Sequence, residues 1–383
     1  MDKKFDKILS FIKNLYINES PVPLHAPKFL GNEKKYLLDC IDSTYVSYVG
    51  KYVEEFEKII QRYTGAKYSV AIVNGTAAIF ITLVALGIKR GDEVITQALT
   101  FAATAAGIKH AGGEPVFIDV DRETLGMSPE ALEDFIKNNT YYENGILKNK
   151  FDGSRIFAVM PMHTFGHPVR IDEIKAICEK YELLLIEDAA ESLGSFYKEK
   201  HTGTFGKAGI LSFNGNKSVT TGGGGMIITD DDKLFEKIKH LSTTAKRKHP
   251  YEFIHDEVGY NLRLPNINAA IGYAQMEYFD KIIQNKRNTA EIYKNFFENI
   301  GIEFFSEPEN CRSNYWLNAI FLKNREERDI FLEYSNNNGV QTRPVWKLIP
   351  SLDPYKNCFS YNIKNAYEIE DRLVNIPSGY RGE

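Results

Sequence analysis

The sequence predicts an α/β fold: a large, mostly parallel sheet of seven strands with helices on both faces, and a smaller α/β domain behind it. Two patterns support this. From about residue 65 to 230, short apolar runs alternate with helical stretches, and strands that are apolar almost without interruption belong to sheets buried on both sides. After Pro265 the alternation stops and a long helical pattern takes over.

Taken in order, "YSVAIV" (68–73) leads into "GTAAIFITLVALGI" (75–88), whose apolar residues run almost all round a helix. "DEVITQ" (92–97) precedes "FAATAAGIKHAG" (101–112). "EPVFIDVD" (114–121) precedes "SPEALEDFIKNN" (128–139), where Ser128 is a candidate N-cap because its hydroxyl can accept from a first-turn N–H. "RIFAVMPM" (155–162) leads to "IDEIKAICEKYE" (171–182), and "LLLIED" (183–188) to a turn of small residues. "AGILSF" (208–213) and "GMIITD" (225–230) follow with no ordinary helix between them, a hairpin-like departure from simple winding. The stretch 266–300 has no proline and one early glycine, and it reads as a single long helix bridging two domains. Beyond it, "YWLNAIFL" (315–322) is strand-like and "REERDIFLEYSNNNG" (325–339) helical, while the tail "LVNIPSGYRGE" shows no closing helix. The expected organisation is an N-terminal segment at 1–44 packing with the small domain, a large domain at 45–280 and a small domain at 281–383.

Composition narrows the function classes. A formal charge of −4, with both signs spread over 383 residues, leaves no basic footprint for nucleic acid. The four cysteines stand far apart, with no CxxC pair and no Cys–His cluster. That fits a reducing cytoplasm and speaks against a zinc site or a disulfide scaffold. No segment reaches the roughly twenty apolar residues needed to span a membrane. The opening "MDKKFDKILSFIKNLY" is interrupted by charges and reads as an amphipathic helix, without the apolar run of a signal peptide. A cytoplasmic protein with no metal, nucleic-acid or membrane partner is expected.

Three junctions carry chemistry. In "VNGTAAIF" the chain leaves a strand at Val73 and enters a helix near Thr76, where free N–H groups and the helix dipole suit a phosphate, and Gly75 lets backbone approach it closely. "LLLIEDAAESLGS" ends a buried strand on Glu187 and Asp188, at the carboxyl edge where α/β sheets bind ligands. Asp188 is there either a ligand contact or a cap for the following turn, and Glu191 is either solvated or faces the same pocket. "SFNGNKSVTTGGGG" brings Lys217 into a cramped turn, and its four glycines make sense where backbone passes close to something bulky and flat. A partly desolvated amine loses its proton readily and attacks carbonyls. A strand-end acid, a helix N-terminus for phosphate and a turn lysine are together the set that pyridoxal phosphate requires. His163 and His167 in "MHTFGH" lie in a glycine-containing loop that argues against a helical metal pair, and "KRKHP" near Lys246 reads as a solvated loop.

The order GTAA (75–78), "TFAAT" (100–104), "IEDAAESLGS" (186–195), "SFNGNK" (212–217), "TTGGGGMI" (220–227) and "GYNLRLPNINAAIG" (259–272) resembles the sugar aminotransferases of the DegT/DnrJ/EryC1/StrS type, which are fold-type I pyridoxal-phosphate enzymes. The resemblance implies that Lys217 forms the Schiff base with the cofactor and then shuttles the proton. It places Asp188 on the pyridine nitrogen, Phe101 on the ring face and Glu191 near the ring hydroxyl, a position where many members carry Gln or His. Ser212 and the backbone of Gly75, Thr76 and Ala77 would hold the phosphate. Asn261 would reach that phosphate from the partner subunit of a homodimer, and His163 would back up the aspartate.

Within the family, "PLHAPKFLGNEKKYLLDCIDSTYVSYVGKYVEEFE" (23–57), "GNK" (215–217) and "TRPVW" (342–346) resemble the bacillosamine and legionaminic-acid branch. That implies transfer of an amino group from glutamate to C4 of a nucleotide-linked 2-acetamido-4-keto-6-deoxyhexose, with Arg343 and Trp346 as substrate-binding candidates. After "TRPVW" the family often has "LH" where this chain has "LIP" (348–350), and relatives commonly continue into a C-terminal helix where this sequence ends. Alternatives are amination at C3, a related sugar dehydratase, in whose branch histidine replaces the lysine, or a catalytically idle binding protein on the same scaffold.

Overall fold

The computed structural model describes residues 3–382. The chain opens with α1 (Lys3–Leu15), α2 (Glu33–Asp42) and α3 (Lys51–Thr64). It then winds β1 (Tyr68–Ile72), α4 (Gly75–Leu86), β2 (Glu93–Gln97), α5 (Ala102–His110), β3 (Glu114–Ile118) and α6 (Pro129–Asn139). A hairpin of β4 (Thr140–Glu143) and β5 (Ile146–Asn149) precedes β6 (Ile156–Met160), α7 (Ile171–Lys180) and β7 (Leu184–Asp188). The short β8 (Phe196–Tyr197) and β9 (Lys200–His201) lead to β10 (Ala208–Ser212), β11 (Gly225–Thr229) and α8 (Asp232–Ser242). Two helices, α9 (Asn266–Met276) and α10 (Phe279–Asn299), then connect to β12 (Glu303–Phe304), β13 (Cys311–Arg312), β14 (Asn318–Phe321), α11 (Arg325–Asn337), β15 (Arg343–Pro344), β16 (Ser360–Tyr361), α12 (Lys364–Arg372) and β17 (Leu373–Ile376).

The large sheet runs in the order β1-β11-β10-β7-β6-β2-β3-β16. Strands β10, β7, β6, β2 and β3 are parallel, and β11 lies antiparallel between β1 and β10. Because β11 opposes both neighbours, β1 points the same way as β10. The carboxyl ends of β1, β2, β7 and β10 therefore meet at one edge, which is where the site is built. The central strands are buried on both faces, which explains their unbroken apolar runs. Ser128 caps α6 as the sequence implies, its Oγ accepting the Ala131 N–H at 3.1 Å.

Four features depart from the sequence reading. The large sheet has an eighth strand, β16, pairing in parallel with β3 from far along the chain. The Phe117 N–H donates to Phe359 O, and Phe359 and Tyr361 pack on Phe135. The long helix expected over 266–300 breaks at Glu277–Tyr278, where the Glu277 carboxylate accepts from Asn32 and Tyr36. The segment 1–44 divides: α1 buries Phe5, Ile8 and Ile12 against Tyr293, Phe297 and Phe331, whereas α2 packs with α3 and α9. In the glycine run it is Gly225 that serves close backbone packing: a Cβ there would sit 2.5 Å from the Asn74 carbonyl carbon and 2.7 Å from the Gly75 nitrogen. The neighbour that demands glycine is therefore the start of α4.

A second, four-stranded antiparallel sheet, β12-β14-β17-β15, carries α10, α11 and α12. Among the described residues, no helix is long and apolar enough to cross a membrane.

Candidate active site

A cavity of about 550 Å³ opens at the carboxyl edge of the large sheet, between it and the small sheet. Gly75, Thr76, Phe101, Glu191, Ser212, Lys217, Arg343 and Trp346 all line it. Lys217 sits in the connection between β10 and β11, where its N–H donates to Asn214 O at 3.0 Å. Its side chain is 12% exposed, and its Nζ donates to Glu191 Oε1 at 3.1 Å and lies 3.7 Å from the centre of the Trp316 ring. Glu191 is almost fully buried, and its second oxygen accepts the Phe165 N–H at 2.9 Å. Burial pushes the Glu191 carboxyl up to about 7, although the Lys217 charge and the Phe165 N–H pull the other way. Of the two readings left open for Glu191, it faces the pocket.

Asp188 ends β7 and is 2% exposed. Its Oδ2 accepts from Thr104 Oγ1 at 2.6 Å and its Oδ1 from the Ala190 N–H at 3.2 Å, so it also caps the turn. Burial raises this carboxyl above its ordinary range, with Thr104 and Ala190 opposing the shift. No cationic side chain bonds it among the described residues. Phe101 is the N-cap residue of α5, with its ring half exposed and 5.9 Å from Trp346. Ser212 ends β10, and a Cβ built on Gly75 would lie 3.6 Å from its hydroxyl. Strand end and helix start therefore face one another across a short gap.

Two sequence-derived assignments change, those of Ala77 and the His163 ring. The Ala77 N–H donates to the Asn74 side chain at 2.8 Å, which closes the first turn of α4. Gly75 and Thr76, and not Ala77, line the cavity. The His163 ring does not bond Asp188: its Nε2 pairs with Glu187 Oε2 at 3.1 Å while its Nδ1 accepts the Val169 N–H. Only the His163 backbone N–H reaches Asp188, at its carbonyl. Asn261 is exposed and lies outside the cavity, its Oδ1 accepting from the Arg263 guanidinium at 2.8 Å. The His167 ring bonds Ser313 at 2.9 Å, far from any pairing with His163.

The sequence did not single out Trp316 or Thr104. Trp316 is buried and fixed by its Nε1–H on Asn216 O at 2.7 Å, across a hundred residues of chain. Thr104 stands in the quoted "TFAAT", but nothing local shows that its hydroxyl meets Asp188.

A profile of the DegT/DnrJ/EryC1/StrS aminotransferase family matches residues 28–381. The chain belongs to that family. GDP-perosamine synthases from Escherichia coli O157:H7 and Vibrio cholerae are 35% and 34% identical to it, each over 93% of this chain and over 93% and 94% of their own lengths. A DegT DnrJ EryC1 StrS aminotransferase from Brucella abortus superposes with a TM-score of 0.82 at 26% identity, covering 91% of this chain and 90% of that one. Helicobacter pylori PseC, an aminotransferase involved in the biosynthesis of pseudoaminic acid, shares the fold at 0.84 and 23% identity, with 94% of both chains covered.

This DegT-family chain is a sugar aminotransferase dependent on pyridoxal phosphate, and its residues fit that cofactor. A buried carboxylate without a cationic partner stands at a strand end, and the start of α4 faces Ser212. Lys217 shares with Gly75, Thr76 and Ser212 a cavity large enough for a ring and a sugar. Bound there, pyridoxal phosphate supplies an aldehyde carbon for the amino group and a ring that accepts electrons. Glu187 has a different task. Burial would raise it, but His163 and the N–H groups of Gly203 and Gly206 hold it below the usual carboxylate range. With the Phe205 N–H added at 2.6 Å, it pins the 203–206 loop under β7.

Proposed function

We propose that this enzyme transfers an amino group from glutamate to C4 of a nucleotide-linked 4-keto-6-deoxyhexose, in the cytoplasm, to make a sugar for a surface polysaccharide or glycan. The observation that carries this is the meeting of Lys217, Glu191 and Ser212 around one cavity whose lining also carries Arg343, Lys347 and Trp346, with Asp188 buried at the end of β7 two residues before the lining residue Ala190. In this reading Lys217 Nζ binds the cofactor and delivers the proton to the sugar carbon that receives nitrogen. Asp188 holds the proton on the ring nitrogen, Phe101 covers the ring, and Ser212 with the Gly75 and Thr76 N–H groups takes the phosphate. Glu191 serves the ring hydroxyl because it is both paired and readily protonated. Arg343 is a cation suited to the nucleotide's phosphates, since among the described residues its guanidinium bonds Asn336 Oδ1 and Thr342 O and no carboxylate. Trp346 offers a ring face to the sugar or base.

The working unit in this reading is a homodimer. Tyr45, Val46, Tyr48 and Val49 are exposed together, next to Ile267. Arg263 stacks on Tyr48 at 3.6 Å and donates to Asn261, so Asn261 stands on the rim of this apolar face. A second copy seated there would bury the face and bring Asn261 to its partner's phosphate site.

The names of the relatives 35% and 34% identical favour a GDP-linked sugar; the likeness of residues 23–57 to the bacillosamine and legionaminic-acid branch favours a 2-acetamido one. Incubating the enzyme with glutamate and a panel of GDP-, UDP- and dTDP-linked 4-keto-6-deoxy sugars, then identifying products by mass and NMR, decides between them. Formation of 2-oxoglutarate with no aminated sugar from any member would overturn the proposal.

A further inference from the structure

Lys286, in the middle of α10, is 1% exposed, yet none of its hydrogen-bond partners is a carboxylate. Its Nζ donates to Ser378 O at 2.5 Å, to Trp316 O at 3.2 Å and to His25 Nε2 at 3.0 Å. These acceptors belong to three separate parts of the chain. Ser378 follows β17, and its N–H donates to Leu24 O at 2.7 Å. Leu24 lines the active-site cavity, and Trp316 flanks Lys217. One ammonium group thus joins the 22–26 strap, the segment after β17 and the backbone of Trp316, whose ring lies against Lys217.

We infer that Lys286 and His25 form a buried proton-sharing pair that positions Trp316 against Lys217 and holds the Leu24 strap on the cavity wall. The hydrogen-bond inventory supports two arrangements. With three protons, Lys286 satisfies all three acceptors, and the His25 proton must then sit on Nδ1, which is buried and has no partner. Removal of one proton exchanges this orphaned donor for an orphaned acceptor. Lys286 passes a proton to Nε2 while the Nδ1 proton leaves to solvent. The Nε2–H then donates to the amine lone pair, and the two remaining amine protons keep Trp316 O and Ser378 O. The tether survives in both states, while the charge on the Trp316 backbone carbonyl's partner changes by one.

The surroundings place this change near neutrality. Burial pushes Lys286 down to about 7. Burial, then the Lys286 and Lys217 charges, hold His25 well below its ordinary range. The other titratable groups packed here are Glu191 and Lys217 beyond Trp316, Tyr16 and Tyr293 on Pro377 O, and Arg381 on Thr289. Burial raises both tyrosines, so neither ionises near pH 7. The inference does not depend on which sugar the enzyme uses.

The test uses the full chain without added cofactor. Trp316 and Trp346 are its only tryptophans, so Trp346→Phe leaves the Trp316 emission as the sole indole signal. Titrated between pH 5.5 and 9, that emission should show a transition with a midpoint near 7. Glu191 also titrates near 7, so Glu191→Gln is added to the same background, and the transition should persist. It should vanish in Lys286→Met and in Lys286→Arg, which stays charged throughout and keeps the variant testable if the methionine does not fold. His25→Phe should move the midpoint by about one pH unit or more, a tenfold change in the equilibrium. A flat profile in the single-tryptophan protein, or a transition lost in Glu191→Gln and kept in Lys286→Arg, would overturn the assignment.

Discussion

Glu191 gives one carboxylate oxygen to Lys217 Nζ at 3.1 Å and the other to the Phe165 N–H at 2.9 Å. An amide has only one acceptor oxygen, so Glu191→Gln leaves either the amine or the Phe165 N–H facing an NH2 group. That costs about 1–3 kcal/mol. Phe165 holds this position in a left-handed conformation, φ 56°, which a large side chain adopts only under tertiary constraint.

The pH dependence of stability has a definite sign here. The Glu191 carboxyl is raised by burial to about 7, so its contribution is full below about pH 4.5 and is lost as pH rises through 7. Urea melts should show wild type exceeding Glu191→Gln by more at pH 5 than at pH 8, with the gap narrowing by roughly 3 kcal/mol at most. A gap that widens with pH would contradict the burial assignment.

Lys217→Arg should abolish the visible absorbance band that pyridoxal phosphate gives the wild type. Amino transfer should fall by more than about a thousandfold. The arginine can still pair with Glu191 and stack on Trp316, so thermal stability should change little. A yellow, active Lys217→Arg protein would remove this lysine from the chemistry.

Asp188→Asn keeps an acceptor for Thr104 but cannot carry charge. Turnover should drop by roughly 10²–10³ while cofactor still binds. Thr104→Val should give a smaller loss, because the Ala190 N–H remains on the carboxylate. Equal activity in wild type and Asp188→Asn would show that the acid merely caps its turn.

Glu187→Gln should destabilise the fold by about 3 kcal/mol, since one amide oxygen cannot serve His163 and three backbone N–H groups. The native carboxyl is held below its ordinary range, so its stabilising contribution is present above about pH 4.5 and fades as pH falls further. Denaturant titrations of both proteins at pH 3.5 and 7 should therefore converge at the lower pH.

Val46→Glu, on the exposed apolar face, should yield a monomer by sedimentation and lose most activity while keeping the circular dichroism of the wild type. In the proposed homodimer, mixing an Asn261→Ala protein with Lys217→Arg should restore activity above either alone, because one of its two sites then has an intact lysine and an intact asparagine. No recovery in a verified mixed dimer would mean that Asn261 acts within its own chain.

Much of the fold was legible because it is local. The strand–helix alternation and the Ser128 cap depend on residues a few positions apart, and the hairpin-like β10–β11 pair joins neighbouring strands, Ser212 opposite Gly225. The helix break at Glu277–Tyr278 was not, because the groups that fix it are Asn32 and Tyr36. Nor was β16, whose pairing depends on β3 and on packing against Phe135. The His163 ring, next to two acids in space, bonds Glu187, a choice invisible in the spacing.

By itself, the sequence determined which reactive groups the site contains: a lysine in a strand-to-strand turn, an acid at a strand end, a helix start with Gly75 and Thr76. Only the tertiary structure decided how each is tuned. Trp316 reaches Asn216 and Lys217 across a hundred residues, and Thr104 reaches Asp188 across eighty-four. Burial and hydrogen-bond partners set the protonation of Glu191, Asp188 and Lys286, and both depend on distances in space that residue spacing does not encode.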